Sequence, residues 1–315
     1  MVNILTITLN SAVDLATSVD EVVAGPKLYC AQPSLDAGGG GVNVARAIQK
    51  LGGDATALVT VGGAMGETLL QLLKVEGVPV VPVPIHGETR FSFAVTDGTS
   101  GAQYRFNLPG ETLTTDEGAR LLTAISDVVG PDDFVVLSGG VAPGLGDDFP
   151  SRVQQAISRL TDRLIVDTSQ APLAHLTANP VDPVFLLRID RKEAETAAGH
   201  AMETIADSVT FALDLIERGV ARIVVTGRGA EGSVLVTRDA RYFCRAVKVP
   251  VRSTIGAGDS LVGAMILAFA RGEQPDQALR RGVAAACATV NTPATELCSR
   301  DEAEALFQRC EVTAI

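Results

Sequence analysis

The sequence predicts an α/β protein built on a mainly parallel sheet with helices on both faces, plus a small β-sheet lid. Short Val-, Ile- and Leu-rich runs alternate with segments of helical length along most of the chain, as repeated strand–helix units do. The 31 glycines in 315 residues punctuate that alternation. Between Thr89 and Phe106 it gives way to two short alternating runs, RFSFAV and QYRF, joined by the turn-rich DGTSGA, which together read as a hairpin.

Taken in order, the N-terminal third predicts a strand at Ile4–Leu9, an extended segment at Val22–Tyr29, a glycine run, a helix at Val42–Leu51, a strand at Thr56–Val61 and a helix at Glu67–Val75. The hairpin follows and leaves the main sheet, where its best use is as a lid paired with the 22–29 segment. From Thr115 the alternation resumes, with a helix to Val128, a strand at Phe134–Ser138, a helix at Phe149–Leu160 and strands at Leu164–Asp167 and Val184–Leu187. Helices at Arg191–Ala198 and Ile205–Arg218 and a strand at Arg222–Thr226 complete the run. Ligands of such a sheet bind beyond the carboxyl ends of its strands. No repeat and no low-complexity linker divides the chain, so a single unit over residues 1–315 is expected, with lid segments at about 15–32 and 86–110.

Composition excludes several functions. A net charge of −11 offers no basic face for a polyphosphate chain, which argues against nucleic-acid binding but allows a small anion held by a few cations in one cleft. No stretch reaches the roughly 18 apolar residues of a membrane helix, and no basic segment precedes an apolar one at the N-terminus, so a soluble cytoplasmic protein is expected. Five scattered cysteines without CxxC spacing predict reduced, mostly buried thiols. Only His86, His175 and His200 are available for histidine chemistry, and their places near turns and helix ends favour surface or capping roles.

Two motifs carry chemistry. In STIGAGDSLVGAMILAFA, a polar segment runs through Gly256, Ala257 and Gly258 to Asp259 and then into an apolar helix. Small residues permit a tight turn whose N–H groups share one concavity, and a helix N-terminus adds positive potential, which makes an anion hole. Gly-Asp at a helix start is by itself an ordinary cap, but a cap does not require three small residues before the acid. A carboxylate beside such a hole can take a proton from an attacking hydroxyl during phosphoryl transfer. In GGGGVNVARAIQKLGG, Gly38 to Gly41 feed a helix carrying Asn43 in its first turn. Bare backbone lets a polyhydroxy ligand approach, and Asn43 offers it a donor and an acceptor. A dinucleotide fingerprint fails on spacing, because its third glycine would fall on Asn43 or Val44, and the absence of any GK[ST] excludes a P-loop.

With both motifs in one chain, the sequence resembles the ribokinase-like, PfkB-type carbohydrate kinases over essentially its whole length. TLNSAVD, GGGGVNVARAI, QYRFNLPG and ELCSRD resemble most the minor bacterial 6-phosphofructokinases within that family. The resemblance implies a ribokinase-like fold and ATP-dependent phosphorylation of a sugar phosphate, with fructose 6-phosphate first and fructose 1-phosphate or tagatose 6-phosphate as alternatives. A non-catalytic sugar- or nucleotide-binding regulator is a further alternative. It implies Asp259 as base, with Gly256, Ala257 and Gly258 as the anion hole. Asp14, placed at the end of the first strand, together with Gly39, Gly40, Asn43 and Ser138 would meet the sugar, and Lys27, Arg90 and Arg105 its phosphate. Thr226, Gly227, Gly229, Gly232 and Arg188 would meet the nucleotide. Glu193 and Asp190 would attend Mg2+, although Arg188 and Asp190 stand where the family has Lys and Asn. The resemblance also suggests a K+ site after Ala284 without naming its ligands. The edges of the lid strands predict a homodimer through the lid, with Arg105 reaching toward the partner's site.

Overall fold

The computed structural model describes residues 3–315. A ten-stranded sheet forms the body. Its parallel part comprises β1 (Ile4–Thr8), β4 (Thr56–Val61), β5 (Val80–Pro84), β8 (Phe134–Ser138), β9 (Leu164–Asp167), β10 (Val184–Asp190) and β11 (Ala221–Gly227). An antiparallel edge follows from β12 (Gly232–Val236), β13 (Arg241–Arg245) and β14 (Glu311–Ala314), giving the order β14-β13-β12-β11-β10-β9-β8-β1-β4-β5. Strands β1, β8 and β9 are buried along their whole length and β11 along most of it, as strands covered on both faces are. One face packs against α1 (Gly40–Lys50), α2 (Gly63–Val75), α8 (Ala257–Ala270), α9 (Pro275–Val290) and α10 (Arg300–Phe307). The other packs against α3 (Thr115–Val128), α4 (Phe149–Ile157), α5 (Gln170–Ala178), α6 (Arg191–Ala198) and α7 (Ile205–Glu217).

A second sheet of four strands stands apart, in the order β3-β2-β6-β7, from β2 (Ala12–Val19), β3 (Ser34–Gly38), β6 (Arg90–Asp97) and β7 (Gln103–Asn107). The hairpin is where its alternation put it, with Phe93 of β6 stacked on Phe106 of β7 at 4.7 Å. The 22–29 segment is not its partner. Residues 12–19 pair in parallel with β6 over eight positions, while 22–29 forms no strand. The reason is local: Pro26 has no N–H to give a ladder and Gly25 has φ of 107°, whereas AVDLATSV buries Ala12, Val13 and Ala16 on one side. Asp14 therefore lies inside β2 and not at the end of β1.

The strand order reverses at β1, which has β4 on one side and β8 on the other. The N-termini of α1 and α8 come together beyond the carboxyl ends of these strands, which is where an open α/β sheet places its ligand crevice. Helix α8 is apolar around nearly its whole circumference and is buried between α1 and α9, so its first turn has little freedom to move.

Candidate active site

A cleft of about 730 Å³ opens between the two sheets. Its floor is the start of α8. Gly256, at the N-cap, has φ of 73°, and a Cβ there would run into Leu297, so only glycine fits on both counts. The N–H groups of Ala257, Gly258 and Asp259 occupy the first helical turn, where none has an intrahelical acceptor. Asp259 is half-buried, with its open side on the cleft. Asn43 Nδ2 donates to its Oδ2 at 3.0 Å and Ser138 Oγ approaches Oδ1 at 3.5 Å. Burial pushes the Asp259 carboxyl up to about 7 and the charge on Asp167 adds to the rise, against the lowering effect of the Asn43 hydrogen bond, Arg188 and Ser138.

The glycine run supplies the opposite lip, and its glycines serve packing as much as access. A Cβ on Gly38 would strike the Asp14 carboxylate, one on Gly40 the Ser138 hydroxyl and, at 2.6 Å, the Gly139 amide nitrogen, and one on Gly41 the Ile7 carbonyl. Their absence lets α1 sit directly on the ends of β1 and β8. Gly39 and Gly40 still line the cleft, as do Asp14 and Asn43. Asp14 accepts from Ser92 Oγ; burial raises its pKa, opposed by that hydrogen bond and by Arg90 and Arg46.

Arg90 and Arg105 line the same cleft from the small sheet, and among the described residues neither is in an ion pair. Arg90 donates to the carbonyl of Asn10 at 3.0 Å. Lys27 is exposed in the segment without regular structure and does not line the cleft of its own chain.

The residues assigned to the nucleotide lie at the neighbouring strand ends. Arg188 pairs with Asp167 at 3.2 Å and lies against Gly258, where a Cβ would meet its guanidinium at 2.9 Å. Its Nε and the Thr226 hydroxyl are buried without a hydrogen-bond partner. Gly227 ends β11 and Gly229 begins a single 3-10 turn, with open space on its Cβ side. Gly232 is buried at the start of β12 with φ of 128°, and a Cβ there would collide with the Cys244 carbonyl, so strand pairing accounts for it. Arg228, between them, is a buried clamp on the carbonyls of Met202, Glu203 and Thr204.

Asp190 and Glu193 form a capping box on α6: Glu193 N donates to Asp190 Oδ1 and Asp190 N donates to Glu193 Oε2, each at 2.8 Å. Burial raises the Glu193 pKa, and the charges of Asp190 and Asp167 raise it further. Among the described residues no group of three or more His, Cys, Asp and Glu is arranged to hold a metal ion. An oxygen-only pair with one carboxylate oxygen spare on each residue fits a cation that keeps most of its ligands as water and phosphate.

Sequence reasoning missed several cleft residues. Ser92 and Asn107 face it from the small sheet, Thr295 from the loop after α9, and Gln170 from the start of α5 with φ of 56°. Only the unusual backbone at Gln170 marks it as special, and sequence does not display that. Four of the five cysteines are buried, Cys30 is exposed, and all are free thiols. Among the described residues no helix is long and apolar enough to cross a membrane.

Known proteins resemble this chain in sequence and in fold. The chain is 38% identical over 305 residues to the ATP-dependent 6-phosphofructokinase isozyme 2 of Mycobacterium tuberculosis, covering 97% of this chain and 89% of the relative. It is 36% identical over 309 residues to the isozyme of the same name from Escherichia coli, covering 98% of both. The crystal structure of Escherichia coli phosphofructokinase-2 in complex with substrates and products superposes with a TM-score of 0.92 at 34% identity, over 98% of this chain and 99% of that one. Residues 6–302 match the pfkB family of carbohydrate kinases, and the chain belongs to that family.

Proposed function

We propose that the protein transfers the γ-phosphoryl group of ATP to the C1 hydroxyl of fructose 6-phosphate, giving fructose 1,6-bisphosphate. The observation that carries this reading is Asp259, a carboxylate with a pKa raised to about 7, set beside unpartnered helix-N-terminal amides at the floor of a cleft whose outer wall bears Arg90 and Arg105. A base poised near neutral pH takes a proton efficiently without being protonated most of the time. The relatives named as 6-phosphofructokinases support the choice of substrate.

Each residue then has a task set by its chemistry. Arg90 and Arg105 grip the phosphate already on the sugar, Asp14 and Asn43 orient ring hydroxyls, and the C1 hydroxyl is left facing Asp259. Asp259 accepts the hydroxyl proton as the C1 oxygen bonds to the γ-phosphorus. The Ala257, Gly258 and Asp259 amides hold the charge on the transferred oxygens, and the bond from that phosphorus to ADP breaks. Arg188, Gly227 and Gly229 face the nucleotide, and Thr226, whose side chain is fully buried, holds the strand end that carries the two glycines. Glu193 with Asp190 would hold a Mg2+ accompanying ATP, which supplies neutralising charge to the phosphates. The small sheet acts as a lid that excludes water from the reacting groups. Its exposed Leu35, Tyr104, Phe106 and Leu108 form an apolar face that fits a second copy, and a homodimer through the lid follows.

A panel of phosphosugars in a coupled ADP-release assay tests the reading. The expected result is the highest kcat/KM on fructose 6-phosphate. A tenfold preference for fructose 1-phosphate or tagatose 6-phosphate overturns the substrate, and no turnover with any phosphosugar overturns the enzyme in favour of a binding protein.

A further inference from the structure

Beneath the cleft floor lies a charged side chain that none of these tasks uses. Arg46 of α1 is only 2% exposed, yet its guanidinium is satisfied from several elements at once. Nε donates to both carboxylate oxygens of Glu76, at the end of α2, at 2.8 and 2.9 Å. Nη2 donates to Asp36 of β3 at 3.2 Å, and Nη1 to the Ala37 carbonyl at 2.9 Å and to Asn43 Oδ1 at 3.2 Å.

The last contact has a consequence for the base. A guanidinium has donors and no acceptor, so only the oxygen end of the Asn43 amide can face it. The amide nitrogen is thereby turned the other way, onto Asp259 Oδ2 at 3.0 Å. The flipped amide would set oxygen against carboxylate on one side and NH2 against guanidinium on the other, two mismatched contacts in a buried site. We propose that Arg46 is a positioning residue for phosphoryl transfer: by fixing which end of Asn43 faces Asp259, it keeps a hydrogen-bond donor on the base. This rests on the kinase reading above. It also accounts for a buried arginine held by two acidic groups, since a loose cation would not select one amide orientation.

The remaining groups that face Asp259 are Ser138 from β8, Asp167 from β9 and Arg188 from β10, and Arg46 touches none of them. The test is the pH profile of kcat/KM for fructose 6-phosphate in the wild type, Arg46→Lys, Asn43→Ala and the double variant. Lysine keeps the charge and loses the fork. The expected midpoint in Arg46→Lys lies about half to one pH unit above the wild type, because the donor that favours the ionised base is loosened. In the Asn43→Ala background Arg46→Lys adds no further displacement. A wild-type midpoint in Arg46→Lys, or displacements that add, overturns the proposal. Should Arg46→Lys not fold, Glu76→Ala releases the bidentate clamp from the partly exposed side. Removing a negative charge alone would lower the midpoint, so a rise supports the proposal and an unchanged or lowered value overturns it. The same displacement is read without substrate from the pH at which the decline of thermal stability levels off, since the onset is set by the unfolded chain and the end by the folded one. A wild type inactive on every phosphosugar therefore sinks the kinase reading while leaving this test in force.

Discussion

Replacing Asp259 by Asn separates what this residue does for chemistry from what it costs the fold. A carboxyl whose pKa rises from 3.8 to about 7 has lost preference for its charged form by about 4 kcal/mol. The sign follows from proton linkage. Between pH 4 and 7 the folded state keeps a proton that the unfolded chain has released, so stability falls as pH rises through this window and the loss is complete above pH 7. Asparagine never carries the charge and can turn its oxygen to the Nδ2 of Asn43, so it escapes that loss. Because one side of Asp259 opens on the cleft, water relieves part of it, and the expected gain at pH 8 is about 2–4 kcal/mol, shrinking toward zero below pH 4. Urea unfolding without ligands at pH 5 and pH 8 measures this, and turnover in the coupled assay is expected to drop by roughly 10²–10⁴. An Asn variant less stable than wild type at pH 8, or one retaining near-normal turnover, refutes the picture of a desolvated base.

Four further outcomes are expected. Arg90→Ala raises KM for the phosphosugar by about 10–100-fold with little change in KM for ATP, as steady-state kinetics will show, because a charge-assisted contact is lost on the sugar side alone. Gly40→Ala lowers stability by about 1–3 kcal/mol in chemical denaturation, since its Cβ has nowhere to go between α1 and the Ser138–Gly139 backbone. Asp190→Ala removes a helix cap and lowers stability by about 1 kcal/mol, whereas Asp190→Asn, which can cap equally well, leaves the melting temperature close to wild type. Sedimentation at micromolar concentration gives a dimer, and Phe106→Lys on the exposed face of the lid shifts it to monomer.

Much of the body was legible in the sequence, and particular elements show why. The helix over 115–128 and the strands over 56–61, 134–138 and 164–167 have the bounds that their periodicity predicts. Each is a local pattern with its own start and stop signal. Thr114 with Glu117 forms the box that begins α3, and Asp190 with Glu193 the one that begins α6. The lid was read less well. Its hairpin announced itself, but the strand that pairs with it lies some eighty residues away, and a pairing partner has no local signature.

The active site divides along the same line. The sequence by itself determined the small-residue turn at 256–258, the acid that follows it and the glycine-lined helix start, because each is a short run recognisable from its own residues. Only the tertiary structure decided that Asn43 and Asp259, 216 residues apart, share a hydrogen bond. It also decided that the glycines at 38, 40 and 41 are needed for packing against β1, β2 and β8, that Arg46 stands behind Asn43, and that Lys27 stays outside the cleft of its own chain. Contacts between distant segments depend on how the sheet orders its strands, and that order is settled by the burial of whole faces, which no short run of residues specifies.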